Sequence, residues 1–283
     1  MTSCLFVTDL HGKRSRYEKL FEIIKQEIPK IIFLGGDILP NLFSKEWNDI
    51  DFLEDYLIAR LTDLKNKMGD SYPKIVLILG NDDGRSIEST IFKYADLGIW
   101  EYIHNKSITL DGFLIYGYSF VPPSPFRLKD WEKYDVSRYV DPGCVSPEEG
   151  ARTFEVSDYE KKYSTIKNDL DELIQEKDLN RTIILFHSPP YKTKLDRAAL
   201  DGKKIDSAPL DVHVGSIAIQ RFIKKRSPYL TLHGHIHEST RLTGSYIDKI
   251  ENTIMLNAAH DGEELSIVRF QIEDLSTIER ELI

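Results

Sequence analysis

Cys4-Leu5-Phe6-Val7-Thr8-Asp9-Leu10-His11 is the stretch that decides how this chain is read. Its first five residues are apolar or β-branched, which suits a buried strand. Two polar groups follow at once, Asp9 and His11. The same arrangement recurs. Ile31–Leu34 reads as a second strand and runs into Gly35-Gly36-Asp37, and Lys74–Leu79 reads as a third and runs into Gly80-Asn81-Asp82-Asp83. Between them lie amphipathic segments. Tyr17, Leu20, Phe21, Ile24 and Ile28 share one face of a helix over 14–28, which Pro29 ends. Phe52, Leu53, Tyr56, Leu57, Leu61 and Leu64 do the same over 46–67, and a further helix is expected near 86–95. Strand, helix, strand, helix, strand predicts βαβ units and a sheet with parallel strands. Ligands of such sheets bind beyond the carboxyl ends of the strands, where Asp9, His11, Asp37, Asn81 and Asp82 fall.

The second half is also rich in strands. Ser107–Leu110 and Phe113–Tyr118 predict a hairpin about Asp111-Gly112. Residues 119–152 are irregular and contain five prolines, which reads as a long loop or insertion. A helix over 157–177, a strand Thr182–Phe186, a loop over 188–212, a helix over 215–225 and a strand Tyr229–Leu232 follow. The tail predicts strands near 240–245, 253–257 and 265–272. With no fixed-period repeat and no flexible linker, residues 1–283 read as one domain with an irregular insertion at about 119–152. His187 ends Thr182–Phe186, and Gly234-His235-Ile236-His237 follows the strand at 229–232.

Composition narrows the function. Apolar residues make up 41%, enough for a sizeable core, and the formal net charge of −9 disfavours an extended nucleic acid as partner. Lys203-Lys204 and Lys224-Lys225-Arg226 are short clusters on a solvated surface. No apolar run approaches the ~20 residues of a membrane helix, and the N-terminus reads as a strand, not a signal peptide. Two cysteines, Cys4 and Cys144, do not make a disulfide framework, so a reducing cytoplasm is the expected compartment.

Strand-end carboxylates, an amide and imidazoles are the donors that suit borderline divalent metals. Two such ions ~3.5–4 Å apart, sharing a carboxylate, would hold a phosphate ester while a bridging hydroxide attacks in line. An alternating pair such as Asp9/His11 or His235/His237 would point both side chains one way if the chain there is extended.

Taken in order, Asp9-Leu10-His11, Gly36-Asp37, Gly80-Asn81-Asp82, Phe186-His187 and Gly234-His235-Ile236-His237 resemble the calcineurin-like metallophosphoesterase superfamily. Its signature is Asp-x-His, Gly-Asp, Gly-Asn-His, a strand-end His and Gly-His-x-His. The resemblance runs from residue 4 to about 260. Gly36-Asp37-Ile38-Leu39-Pro40 and His233–Ser239 look like the small prokaryotic branch of the superfamily. It implies an α/β fold, a four-layer αββα sandwich of two mixed sheets flanked by helices. It also implies two metal sites, Asp9, His11, Asp37 and His237 for one and Asp37, Asn81, His187 and His235 for the other. The usual ions are manganese, iron, zinc or nickel, with manganese favoured. The implied activity is hydrolysis of a small phosphate ester, with diesters the expected substrates and Asp37, Asn81 and Asp82 at the reacting centre. An inactive protein-binding scaffold and a nuclease are the alternatives. Asp82 stands where the family places a His. A carboxylate there could be protonated, act as an acid, bind metal or point away, and the expectation is weaker action on monoesters. Asp83 is expected to cap the next helix. His213 could line the pocket or be solvated, the role of His260 is open, His104 is expected to be structural, and His233 is expected either to support a ligand from behind or to pack. Phe120, Phe126, Trp131 and Tyr134 could floor a pocket or pack the insertion down.

Overall fold

The structure, a computed structural model, describes residues 1–41, 52–175 and 178–283. Its strands are β1 (Ser3–Val7), β2 (Ile31–Gly35), β3 (Lys74–Ile78), β4 (Glu101–Tyr102), β5 (Ser107–Leu110), β6 (Phe113–Tyr118), β7 (Thr182–Phe186), β8 (Lys204–Ile205), β9 (Ala208–Pro209), β10 (Leu230–His233), β11 (Ile247–Ile250), β12 (Thr253–Asn257), β13 (Ser266–Gln271) and β14 (Asp274–Leu282). The helices are α1 (Arg14–Glu27), α2 (Ala59–Met68), α3 (Glu88–Asp96), α4 (Asp158–Tyr163), α5 (Ile166–Leu173), α6 (Ile217–Arg226) and α7 (Ser239–Thr243).

Twelve strands form two sheets of six, ordered β14-β13-β1-β2-β3-β4 and β11-β12-β10-β7-β6-β5. Both are mixed. β1, β2, β3 and β4 run parallel while β13 pairs antiparallel with β1, and β6, β7, β10 and β12 run parallel between antiparallel edges. Successive strand residues face opposite sides, and the alternation splits each central strand between two cores. Cys4, Phe6, Ile31, Phe33, Val76 and Ile78 meet Ile115, Ile183, Leu185, Leu230 and Leu232 between the sheets. Leu5, Val7, Ile32, Leu34, Ile75 and Leu77 face the other way, into a core shared with Tyr17, Leu20 and Ile24 of α1 and Leu61 and Leu64 of α2. The αββα layering expected from the resemblance is the observed one.

Register positions the site. Val7 pairs with Leu34 and Gly35 with Ile78, so the loops beginning at Thr8, Gly36 and Leu79 leave the first sheet on one edge. Leu232 pairs with Leu185, which brings the loops carrying His187 and His235 out beside each other. Gly234 donates its amide to the His187 carbonyl, closing that edge.

Several expectations are corrected. α1 stops at Glu27, and Ile28 is left-handed and 52% exposed, not part of the buried face. The residue before a proline resists the helical conformation, so the chain turns out of the helix there. The start of the helix expected over 46–67 lies outside the described residues. The described part has π-helical spacing over Phe52–Ile58 and continues as α2. The helix expected over 157–177 is two short ones. Ser157 and Thr165 each cap an N-terminus with the side chain, and Ser164 between them is extended. Residues 240–245 are not a strand: α7 ends at Thr243, capped by Gly244 at φ 72°, and the strand begins at Ile247. The loop 188–212 contains the small hairpin β8–β9. The edge strands β4 and β14 were not anticipated. β14 carries Glu and Arg at intervals and is mostly exposed, so it lacks the apolar alternation that marks a half-buried strand. No helix or strand forms over 119–152, as expected.

Candidate metal centre

Asp9, His11, Asp37 and His237 each offer a ligand atom, and these atoms lie within 4.8 Å of one another. His237 Nε2 is 3.0 Å from Asp9 Oδ1 and 3.1 Å from His11 Nε2. His11 Nε2 is also 3.8 Å from Asp37 Oδ2. On the other side of Asp37, His187 Nε2 is 3.3 Å from Oδ2 and 3.0 Å from Asn81 Oδ1. The His235 ring sits 5.3 Å from that of His187, and the His235 amide donates to both oxygens of Asp9. All seven residues singled out as metal ligands therefore meet at one place, with Asp37 between two groups.

The backbone that holds them is not extended. Asp9, His11, Asp37 and His235 all have positive φ, between 47° and 69°. The expected alternation of an extended chain does not orient these side chains; left-handed turns do. Such conformations cost of order 1–3 kcal/mol each in non-glycine residues and persist where surrounding contacts over-determine them. The contacts are visible. The Asp9 amide donates to the Gly36 carbonyl, that of His11 to the Asp37 carbonyl, and that of Gly12 to the Ile38 carbonyl. Gly80 faces the centre so closely that a Cβ there would lie 2.3 Å from Asp37 Oδ1 and 2.6 Å from His187 Cε1.

The donor set fits metal ions. His187 Nδ1 donates to the Gly35 carbonyl at 2.8 Å, which turns Nε2 toward Asp37 and Asn81. A backbone carbonyl behind the ring is how metal-binding imidazoles are usually oriented. Two facing imidazole nitrogens at 3.1 Å beside two buried carboxylates also call for a cation or proton between them. Burial alone would raise the Asp9 carboxyl, yet the hydrogen bond and charge of His237, with His187 and His11, hold it well below the usual range. Burial opposes a charge on His187, but the neighbouring Asp37 more than offsets this and pushes it up to about 10. Burial and the charge of His187 push His235 down to about 3.

Asp82 does not point away. Its carboxylate accepts from Asn41 Nδ2 at 3.2 Å and Asn81 Nδ2 at 3.0 Å, and lies 3.6 Å from His11 Nδ1. Burial and the charge of Asp37 push it up to about 7. Its amide donates to Asp37 Oδ1 at 2.8 Å. Asp83 is not a helix cap. It is fully buried and accepts the amides of Ile38, Leu39 and Gly80, tying the second strand-end loop to the third.

Other supports were missed in the sequence. Arg16 is buried and donates to the carbonyls of Asp9, His260 and Gly262, joining the first loop to the tail. Its spacing from Leu20 put it on the apolar face of α1, the one local signal it offered. His213 lies in the wall of the neighbouring cavity with Nδ1 2.8 Å from Asp196, and Asp196 accepts the amides of Lys192, Thr193 and Gly215. Nothing local in the sequence marks that pair. His260 Nε2 bonds to Glu264, and His233 is buried between Ser188 and Thr231, as a packing residue. His104 is buried among Tyr102, Tyr118, Phe120 and Trp131. Phe120, Trp131 and Tyr134 pack the insertion down, whereas Phe126 is 58% exposed and lines the cavity.

Comparison with known proteins agrees with this geometry. A curated protein of Methanocaldococcus jannaschii, itself uncharacterized, is 37% identical over 83 residues, or 29% of this chain and 32% of that protein. The match thus spans about a third of the length of the curated relative. Among solved structures, TT1561 of Thermus thermophilus superposes with a TM-score of 0.56 at 14% identity, over 99% of this chain and 98% of that one. The phosphopantetheinyl hydrolase of Mycobacterium tuberculosis superposes with a TM-score of 0.52 at 11% identity, over 93% and 91%. A dimetal phosphatase from Danio rerio gives 0.51 at 10% identity, over 95% and 91%. At these identities the likeness is one of fold. The family model described as calcineurin-like phosphoesterase matches residues 2–239, a span that contains every strand-end loop of the centre. By that match, on a fold of two mixed sheets with these loops at their edge, the chain belongs to the calcineurin-like phosphoesterase family.

Proposed function

We propose that the protein is a dinuclear metal-dependent hydrolase of small phosphate esters that favours diesters. The observation that supports this best is the position of Asp37, whose carboxylate lies between the Asp9–His11–His237 group and the Asn81–His187 group. Asp9, His11, Asp37 and His237 would hold one divalent ion, and Asp37, Asn81, His187 and His235 the other, with manganese the favoured metal. When bound, the ions supply positive charge to the phosphoryl oxygens and acidify a water. The chain's own groups do the rest. Asn81, held by His187 and turned by its contact with Asp82, would bond the phosphate, with Asp82 beside His11 at the rim. No helix among the described residues is long and apolar enough to cross a membrane. Both cysteines are free thiols, which fits a reducing cytoplasm.

The direct test is elemental analysis of the purified protein, then hydrolysis of paired aryl mono- and diesters with added manganese. Turnover of neither ester with any divalent metal would refute the proposal. A carboxylate at position 82 is a poor neighbour for a phosphate dianion, and less so for a diester monoanion. Asp82→His should therefore raise the monoesterase rate relative to the diesterase rate, by about tenfold. An unchanged ratio would show that Asp82 does not set the preference.

Metal uptake should also depend on pH in a defined direction. Ligation through Nε2 needs a neutral ring, and Asp37 holds a proton on His187 up to about pH 10. Each ion bound there releases that proton. Apparent affinity should fall as pH is lowered, by up to about tenfold per unit. Titrations with manganese between about pH 6 and 9 would check this, and a flat profile would show that His187 carries no proton to release in the metal-free protein.

A further inference from the structure

A cavity of about 530 Å³ opens from the metal centre. His11, Asp37, Asn81, His235 and His237 line one end of it. The insertion and the loop carrying β8–β9 line the remainder. We propose that this cavity receives an uncharged, apolar arm of the ester substrate, an aromatic ring or a compact aliphatic group. The proposal rests on the reading of the centre as a phosphoesterase site and names the substrate class it takes.

Three observations point to an apolar arm. First, the far wall is built from Pro123, Pro125, Val136, Leu200, Leu210 and Val214, among others, and among the described residues its lining contains no lysine or arginine. A second phosphate or a carboxylate on the substrate would be desolvated there with no cation to pair it, which is costly. Second, four of the polar groups of the wall are already engaged. Asp135 accepts from Ser216 Oγ and the amides of Ile217 and Ala218. Asp211 accepts from the Tyr191 hydroxyl and the His213 amide. Glu238 accepts the Ala199 amide, and His213 is paired with Asp196. Third, Phe126, Tyr139 and Ile205 stand 58%, 68% and 38% exposed, and all three border this one cavity. Large apolar side chains gathered around a concave site mark a binding surface. Continuity with the ligand cluster commits that surface to the substrate rather than to a protein partner. On the other side of His11, Asp82 and His237, the neighbouring surface carries Lys13 and Arg14 together with Asp261 and Glu263, so cations border the centre there and not along the described lining of this cavity.

The test uses diesters with one leaving group, p-nitrophenolate, and a second arm that is methyl, butyl, phenyl or carboxymethyl. In the manganese-loaded enzyme the phenyl arm should give kcat/KM about tenfold or more above methyl, and carboxymethyl should fall below methyl. Phe126→Asp and Ile205→Asp, both at exposed positions, should each lower the phenyl-to-methyl ratio at least about threefold. Phenylphosphonate should bind more tightly than methylphosphonate by calorimetry, a readout independent of turnover. Equal rates for phenyl and methyl arms, or a preference for carboxymethyl, would overturn the proposal. If no ester is hydrolysed with any metal, the phosphoesterase reading fails. The calorimetry then decides the cavity alone, with tighter phenylphosphonate binding supporting it and equal or absent binding overturning it.

Discussion

Asp37→Asn is expected to take the protein from about two bound divalent ions to fewer than one and to abolish measurable ester hydrolysis. Removing a hydrogen-bond partner of a metal ligand typically costs about 10–100-fold in affinity or activity. Removing the charge of the group shared by two ions should cost more, roughly a thousandfold in rate. The substitution keeps the shape of the side chain and an oxygen for the Asp82 amide, which donates to Oδ1 at 2.8 Å. It removes the carboxylate that faces both His11 and His187. Elemental analysis and diester turnover, with a urea melt to establish folding, would check the outcome. A folded variant that keeps two ions and wild-type turnover would show that Asp37 bridges nothing.

Trp131→Ala is expected to give the largest loss of stability, about 3–5 kcal/mol. Trp131 is fully buried in the insertion. Its ring packs 4.8 Å from that of His104 and 5.4 Å from that of Phe120, with the Arg85 guanidinium 5.2 Å away. Its Nε1–H donates to the Asp83 carbonyl at 2.8 Å, and the Asp83 carboxylate in turn holds the Ile38, Leu39 and Gly80 amides. The insertion thus props the loops of the candidate metal centre from behind. Urea denaturation should show the midpoint falling with the slope retained, and metal affinity should weaken with it. A loss under about 1 kcal/mol would mean that the insertion unfolds separately from the sheets.

The parts legible in the sequence are those with a local signature. Cys4–Val7, Ile31–Gly35, Lys74–Ile78 and Thr182–Phe186 alternate between two apolar environments, and both faces are buried, so each reads as an apolar run closed by a polar turn. β14 escaped because an exposed edge strand is not patterned by a core, and Ser164 escaped because a break capped by Thr165 leaves helical composition on both sides. Asp83 was misassigned for a different reason. A carboxylate just before a helix has a local use as a cap, and here long-range donors from Ile38 and Leu39 outcompeted it.

The sequence by itself singled out seven candidate ligands and their order, because parallel strands deliver their carboxyl ends, and whatever follows them, to one edge. Only the tertiary structure decided how those groups face one another. Left-handed turns at Asp9, His11, Asp37 and His235 aim the side chains, and such turns depend on contacts such as Arg16 to Asp9, with Gly262 and His260, that no local pattern encodes. The surface beside the centre was likewise invisible beforehand. Its wall joins residues from 122–144 to residues from 191–238, and its largely apolar character, without a lysine or arginine among the described residues, exists only once those two segments meet.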